Sequence, residues 1–226
     1  AALHHTDMAP SVLTATAGMQ YAFTPTGRDV YNNAIWNLTF NWTTTVGTVN
    51  STGVFTAQTL ASVTGYLNAT IGAVTGMVPV VIIPDQLNLL VITPGSISVT
   101  AGTTQAFSAQ GFDQYSNLIP GLSFNWTTSV GSVSSSGVLT AQTLASVLGH
   151  VRVAIGLVSG SAAVYIIPAA LNRIDMDPAS LNATAGMAYS FSATGFDRYD
   201  NIIPGLAFNW TTTVGAITGP GQFTAQ

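Results

Sequence analysis

The chain repeats itself. Phe40-Asn41-Trp42-Thr43-Thr44 returns as Phe124-Asn125-Trp126-Thr127-Thr128 and again as Phe208-Asn209-Trp210-Thr211-Thr212, 84 positions apart each time. Pro10, Pro94 and Pro178 keep that interval, as do Ala17-Gly18, Ala101-Gly102 and Ala185-Gly186, and Gly53, Gly137 and Gly221. The copies align without insertion or deletion. A fixed period marks one structural unit laid down in tandem, so whatever folds one copy must fold the next. The period divides the chain into 1–84, 85–168 and 169–226, the third copy falling short of a full period.

Composition decides which class of unit this is. Only 5% of residues are charged, and lysine and glutamate are absent; the basic residues are Arg28, Arg152, Arg173 and Arg198, and the acidic ones are eight aspartates. Lysine and glutamate are the usual helix formers at exposed positions, whereas the Val, Ile, Thr, Phe, Tyr and Trp of this chain favour strands. The expectation is all-β. Within the second copy, Leu122 to Thr127 alternates, with Leu122, Phe124 and Trp126 on one face and Ser123, Asn125 and Thr127 on the other. Leu89 to Thr93 with Ile97 to Thr100 reads as a first strand broken at Pro94-Gly95, and Ala106 to Gln110 as a second. Val138 to Ala141, Val151 to Ile155 and Ala162 to Ile167 supply three more. About seven short strands with frequent turns describe a two-sheet sandwich. Trp42, Trp126 and Trp210 are its expected core anchors, since a large aromatic between two sheets dominates core energetics.

One turn carries a resemblance. Gly111-Phe112-Asp113-Gln114-Tyr115-Ser116-Asn117-Leu118-Ile119 resembles the "aspartate, any residue, tyrosine, glycine or serine, asparagine" turn of bacterial immunoglobulin-like repeats of the invasin and intimin type. Gly137-Val138-Leu139-Thr140-Ala141 is similar to the later half of the same family. The resemblance implies tandem immunoglobulin-like β-sandwich repeats, extracellular scaffolding in surface proteins of bacteria and archaea, and no active site. The first copy departs from the pattern. It has Arg28-Asp29-Val30-Tyr31-Asn32-Asn33, and then Ile35-Trp36-Asn37 where the others have Ile-Pro-Gly. That surface is expected to be specialised.

The chemistry that such a chain can carry is narrow. A net charge of −4 without a basic patch gives nucleic acid nothing to bind. Apolar runs such as Val78 to Ile83 are far shorter than the ~18 residues a spanning helix needs, so no membrane span is expected in this segment. No signal peptide is visible, although Ala1-Ala2 has the character of an end left by cleavage at a small-residue site. Zero cysteines exclude disulfides and thiolate metal sites. Seven Asn-any-Ser/Thr sequons, at Asn37, Asn41, Asn50, Asn68, Asn125, Asn182 and Asn209, make those asparagines candidate glycan acceptors. Alternation sets Asn68, Asn125 and Asn182 opposite apolar neighbours, hence outward. Asp175 and Asp177 near a copy junction are weak candidates for a cation, because hard cations want clustered oxygens, but they fall far short of a ligand set. Asp29, Asp113 and Asp197 read as turn caps. His4, His5 and His150 have no acidic or nucleophilic partner at a recurring spacing. With no phosphate loop, serine elbow or paired carboxylates, no catalytic residue and no cofactor are expected.

These features point to an extracellular, cell-surface building block: a subunit of a filament, pilus-like thread or surface layer. The alternative is a stalk segment of an adhesin or fibre that presents a binding domain elsewhere, and a carbohydrate-binding module ranks third. Sandwich edges are commonly guarded by lysine, which is missing here, so neighbours or glycans are expected to cover them. Copies of the same chain are the expected partner. Ile82-Ile83-Pro84 and Ile166-Ile167-Pro168 close each full copy a couple of residues before the next begins, which suits a semi-rigid joint. The third copy lacks the stretch that would furnish its last two strands. Either the chain runs on past Gln226, or another subunit lends strands that bury Leu206, Phe208 and Trp210, with residues around Leu3 to Val12 of the next copy as the expected donor.

Overall fold

The computed structural model describes residues 2–226; Ala1, half of the candidate cleavage end, lies outside the described residues. The described residues contain strands, turns and irregular chain but no helix, and so no helix long and apolar enough to cross a membrane, which says nothing of strand-built barrels. By spatial contact the chain forms two compact units, Ala1–Leu90 with Gln110–Ser123, and Val91–Ala109 with Phe124–Gln226.

The first unit holds ten consecutive strands: β1 His5–Ala9, β2 Leu13–Thr16, β3 Gln20–Ala22, β4 Thr24–Arg28, β5 Ala34–Ile35, β6 Asn41–Thr44, β7 Gly47–Val49, β8 Val54–Ala57, β9 Val63–Ile71 and β10 Val74–Ile83. One layer is the four-stranded sheet β2-β10-β9-β6, and these ten strands also form the three-stranded sheets β1-β4-β5 and β3-β8-β7. β9 and β10 form a long hairpin whose two-residue tip, Gly72-Ala73, has Gly72 at φ 59°, the positive value that a tight hairpin demands at its first central residue. β10 then runs parallel to β2, Val80 opposite Leu13. Along β10 the side chains alternate between buried and exposed, so Val78, Val80 and Ile82 enter the core while Met77, Val81 and Ile83 face out. They meet Leu13, Ala15, Phe23, Val46, Phe55 and Leu67 in one apolar cluster. Burial of each large member stabilises the fold by roughly 1.5–3 kcal/mol.

The second unit repeats this plan. Ser96–Thr100, Val158–Ile167, Val147–Ile155 and Asn125–Thr128 form a four-stranded sheet in that order, and Thr104–Ala106, Val138–Ala141 and Gly131–Val133 form a three-stranded one. Leu139, Val151, Val153, Val164 and Ile166 are fully buried. Further along, Leu171–Asp177 pairs with Ser192–Asp197, and Ala188–Ser190, Gln222–Thr224 and Ala216–Thr218 make another three-stranded sheet. Residues 181–184 and 209–212, which match β2 and β6, belong to no strand. Their counterparts in the first copy pair with β10 and β9. Leu181 is correspondingly 38% exposed, where Leu13 is 8% exposed.

Several sequence expectations are corrected. The first strand broken at Pro94-Gly95 is two strands, Leu89–Thr93 and Ser96–Thr100, and they lie in different sheets. The expected strand from Ala106 likewise divides into Thr104–Ala106 and Ser108–Phe112, again in different sheets. Only Asn125–Thr128 of the alternating run around Trp126 is paired as a strand. Trp42, Trp126 and Trp210, expected as buried core anchors, are half-buried, and Trp42 packs against the core cluster of the first unit. The centre belongs to smaller residues such as Phe55, Leu67, Ile82, Leu139 and Ile166. Each indole instead lies against a turn glycine: Trp42 on Gly53, Trp126 on Gly137 and Trp210 on Gly221. These glycines have φ of 81°, 82° and 89°, and a Cβ on any of them would collide with the ring or with the carbonyl of Phe23, Phe107 or Phe191. The tryptophan therefore closes the margin of the core over a glycine turn.

Candidate functional site

The most elaborate polar arrangement in the chain is built on the Asp-x-Tyr-x-Asn turn. In the second copy, Asp113 Oδ1 accepts the backbone N–H of Tyr115 at 2.9 Å and of Asn117 at 2.8 Å. Its Oδ2 accepts Asn117 Nδ2 at 2.8 Å and the backbone N–H of Asp85 at 2.9 Å. A short carboxylate reaches its own turn in this way, which is why aspartate suits the first position. Ser116 completes the reversal at φ 66°.

Asn117 then reaches beyond its own turn. Its Nδ2 donates to Thr59 O at 2.7 Å, and its Oδ1 accepts the backbone N–H of Ala61 at 2.9 Å. Both partners belong to the Thr59-Leu60-Ala61-Ser62 loop of the first copy. The Tyr115 ring and hydroxyl cover Gly18, whose φ is 76° and where a Cβ would strike the tyrosine. Asp113 and Asn117 are buried, so this is a carboxylate and a carboxamide taken out of water with their hydrogen bonds made.

The second unit contains the same arrangement. Asp197 accepts the N–H groups of Tyr199 at 2.8 Å, Asn201 at 3.0 Å and Ala169 at 2.8 Å, together with Asn201 Nδ2 at 2.8 Å. Asn201 donates to Thr143 O at 2.7 Å and accepts from Ala145 N at 2.8 Å, and Tyr199 covers Gly102. For Asp113 and Asp197 alike, burial alone would raise the carboxyl pKa. The asparagine side chain and the backbone N–H donors outweigh it, lowering Asp113 from its ordinary value and bringing Asp197 down to about 2. Asp29 in the first copy is also lowered, chiefly by the Asn33 side chain. There the turn is formed, with Tyr31 N and Asn33 N each 2.9 Å from Asp29 Oδ1, but Tyr31 is 81% exposed against 39% for Tyr115.

The other sequence candidates do not converge on one site. Asn37, Asn41, Asn50, Asn125, Asn182 and Asn209 are exposed. Asn50 caps its turn by accepting from Thr52 N and Val54 N, and Asn37 adopts φ 62° where the other copies have glycine. Asn68 is the exception: it is half-buried, and its Oδ1 is covered with no hydrogen-bond partner among the described residues. Asp175 pairs with Arg173 at 2.8 Å, Arg173 also reaches Asp200 at 2.7 Å, and Asp177 is exposed on the same strand. Among the described residues no group of three or more His or Asp side chains is placed to hold a metal ion. His4 and His5 approach each other at 3.4 Å, and His150 approaches Ser129 Oγ at 3.4 Å. Sequence reasoning treated Asp113 and Asp197 as local caps and missed the outward reach of Asn117 and Asn201. The available signal was the Thr-Leu-Ala-Ser run that recurs at 59–62 and 143–146 with the same offset from the asparagine.

No family model matches the chain. A stretch of 170 residues, 74% of the chain, is 29% identical to Ice-binding protein 1 of Shewanella frigidimarina (strain NCIMB 400) and covers 18% of that protein. Among solved structures, FdeC, an Escherichia coli adhesin, aligns over 89% of this chain and 76% of its own at a TM-score of 0.54 and 17% identity. The fold is an immunoglobulin-like β-sandwich. Surface layer protein SbsC, domains 1–6, also aligns, over 89% of this chain and 32% of its own, at a TM-score of 0.33 and 19% identity. The chain thus spans under a fifth of the curated relative and about a third of that SbsC chain.

Proposed function

We propose that this chain is a structural segment of an extracellular filament, pilus-like thread or cell-surface layer, associating with copies of itself and carrying glycans on exposed sequons. The observation that supports this most is the joint. Twice, a turn of one copy is fixed to the loop of the copy before it by a buried, fully hydrogen-bonded aspartate–asparagine pair. Such polar groups are strongly directional, since misalignment leaves them unpaired and buried. A chain that must hold its repeats in register has reason to keep them. Exposed apolar side chains on the outer sheet faces, among them Met77, Val81, Leu148 and Tyr165, on a surface without lysine to guard it, favour lateral covering by neighbours or glycans. No catalytic role is assigned.

A second reading, a stalk segment of a surface adhesin, is favoured by the fold shared with the FdeC adhesin. The Shewanella relative is named for ice binding, but the match covers 18% of it, and ice binding is not carried over. Electron microscopy of the purified chain separates the two: threads or lattices formed without added ligand support the structural reading, and dispersed single particles at all concentrations support the stalk. Intact mass of the native material tests the glycans. A value equal to the bare 23.3 kDa of this segment removes them.

A further inference from the structure

The Asp29–Asn33 turn of the first copy has the internal geometry of the two joints without their partner. Asp29 accepts from Tyr31 N, Asn33 N and Asn33 Nδ2, and Asn32 sits at φ 67°, matching Ser116 at 66° and Asp200 at 63°. In the two joints the asparagine is 9% exposed, and its free amide and carbonyl edges bond a Thr-Leu-Ala-Ser loop. Among the described residues the Asn33 side chain bonds only Asp29, and it is exposed. Val30, Tyr31 and Trp36 around it are 64%, 81% and 79% exposed, a concentration of apolar surface where the other copies have a tyrosine seated on a glycine and a proline.

We propose that this turn is the receiving half of a further joint, and that its occupant is another immunoglobulin-like repeat of the same design, docked through a Thr-Leu-Ala-Ser loop and an Ala-Gly corner. The two internal joints supply the contact set. Asn33 Nδ2 takes the threonine carbonyl, Asn33 Oδ1 takes the alanine N–H two residues on, and Tyr31 covers the glycine. The occupant's loop is not the Thr59–Ala61 or Thr143–Ala145 loop of another copy, because Asn117 and Asn201 already hold those. The occupant is a repeat whose loop is unengaged. The inference concerns which surface is received and holds for a lattice subunit or a stalk alike.

The test extends the full chain by one repeat, placing a duplicate of residues 85–168 ahead of Ala1. The new junction reproduces Pro168-Ala169-Ala170-Leu171, because the chain begins Ala1-Ala2-Leu3. Two readouts are taken. Tyr31 should fall from ready iodination to the rate of Tyr115, and the duplicated Ala145 amide should become protected from hydrogen exchange. Asn33→Ala in the extended chain should release that protection by at least about tenfold, the loss expected when a buried hydrogen bond is removed. A second extension using a duplicate of residues 1–84 carries the same loop and corner, so misfolding of one added repeat leaves the other as the test. If, with a folded added repeat, Tyr31 stays as reactive as in the unextended chain, or Asn33→Ala leaves the amide unchanged, the proposal is wrong. Covering of Tyr31 by a glycan at Asn37, or by self-association of unextended chains, would overturn it as well.

Discussion

Replacing Asn117 with alanine isolates the joint, because the first copy offers the same turn without one. Asn117 makes three side-chain hydrogen bonds, to Thr59 O at 2.7 Å, from Ala61 N at 2.9 Å and to Asp113 Oδ2 at 2.8 Å. Ala61 is 6% exposed, so water cannot readily replace the lost acceptor. A buried N–H left without a partner costs about 1–3 kcal/mol, and a hydrogen bond to a charged group contributes about 1.5–3 kcal/mol. Partial relaxation brings the expected loss for Asn117→Ala to about 3 kcal/mol. Asn33→Ala removes only the contact with Asp29 from an exposed side chain, and should cost about 1 kcal/mol. The difference of roughly 2 kcal/mol is the contribution of the joint. Urea unfolding followed by tryptophan fluorescence gives both losses, and hydrogen exchange at the Ala61 amide locates them. Equal losses for the two variants, with the Ala61 amide unaffected by Asn117→Ala, would refute the joint as an energetic element.

Three further outcomes follow from the same geometry. Gly18 and Gly186 share a φ of 76°, but only Gly18 lies under a tyrosine, so Gly18→Ala should destabilise by at least about 1 kcal/mol more than Gly186→Ala in thermal melts, and equal shifts would place Tyr115 elsewhere. Trp126→Ala should cost about 3 kcal/mol in denaturant unfolding, the low end for an aromatic because the ring is half-buried; a loss below about 1 kcal/mol would remove it as a core anchor. The folded pKa values of Asp113 and Asp197 lie below the ordinary 3.8, so their stabilisation is complete above that pH and is lost as pH falls, for Asp197 through about 2. Stability should therefore decline between pH 4 and pH 2, and a melting temperature that holds or rises across that window would contradict the assignment.

The repeat and the strand-forming character of the chain were legible because both are written in spacing. An interval of 84 positions survives any folding, and the alternation of β10 or of Val158–Ile167 matches the period of a pleated strand. The sheet changes at Pro94-Gly95 and after Ala106 were not legible, since a short break in an apolar run looks the same whether the strand resumes in its own sheet or in the opposite one. Asn68 shows the limit of alternation. The period places it on the outer side of β9, but the ladder sets it between Thr43 and Met77, and those lateral neighbours are invisible in a single strand. The joint was half legible. Aspartate followed by tyrosine and asparagine announces a turn, and the hydrogen bonds to Asp113 follow from that turn. The asparagine's second set of bonds joins residues 56 and 58 positions apart, beyond the reach of any local pattern.

A chain that works outside the cell as part of a surface structure must be reachable from outside. Antibodies raised against the purified chain, applied to intact and to permeabilised cells that produce it, put this to the test. Gold labelling of intact cells is expected in electron micrographs, distributed along threads or over the cell surface, with no gain on permeabilisation. Labelling that appears only after the envelope is opened would contradict a surface role.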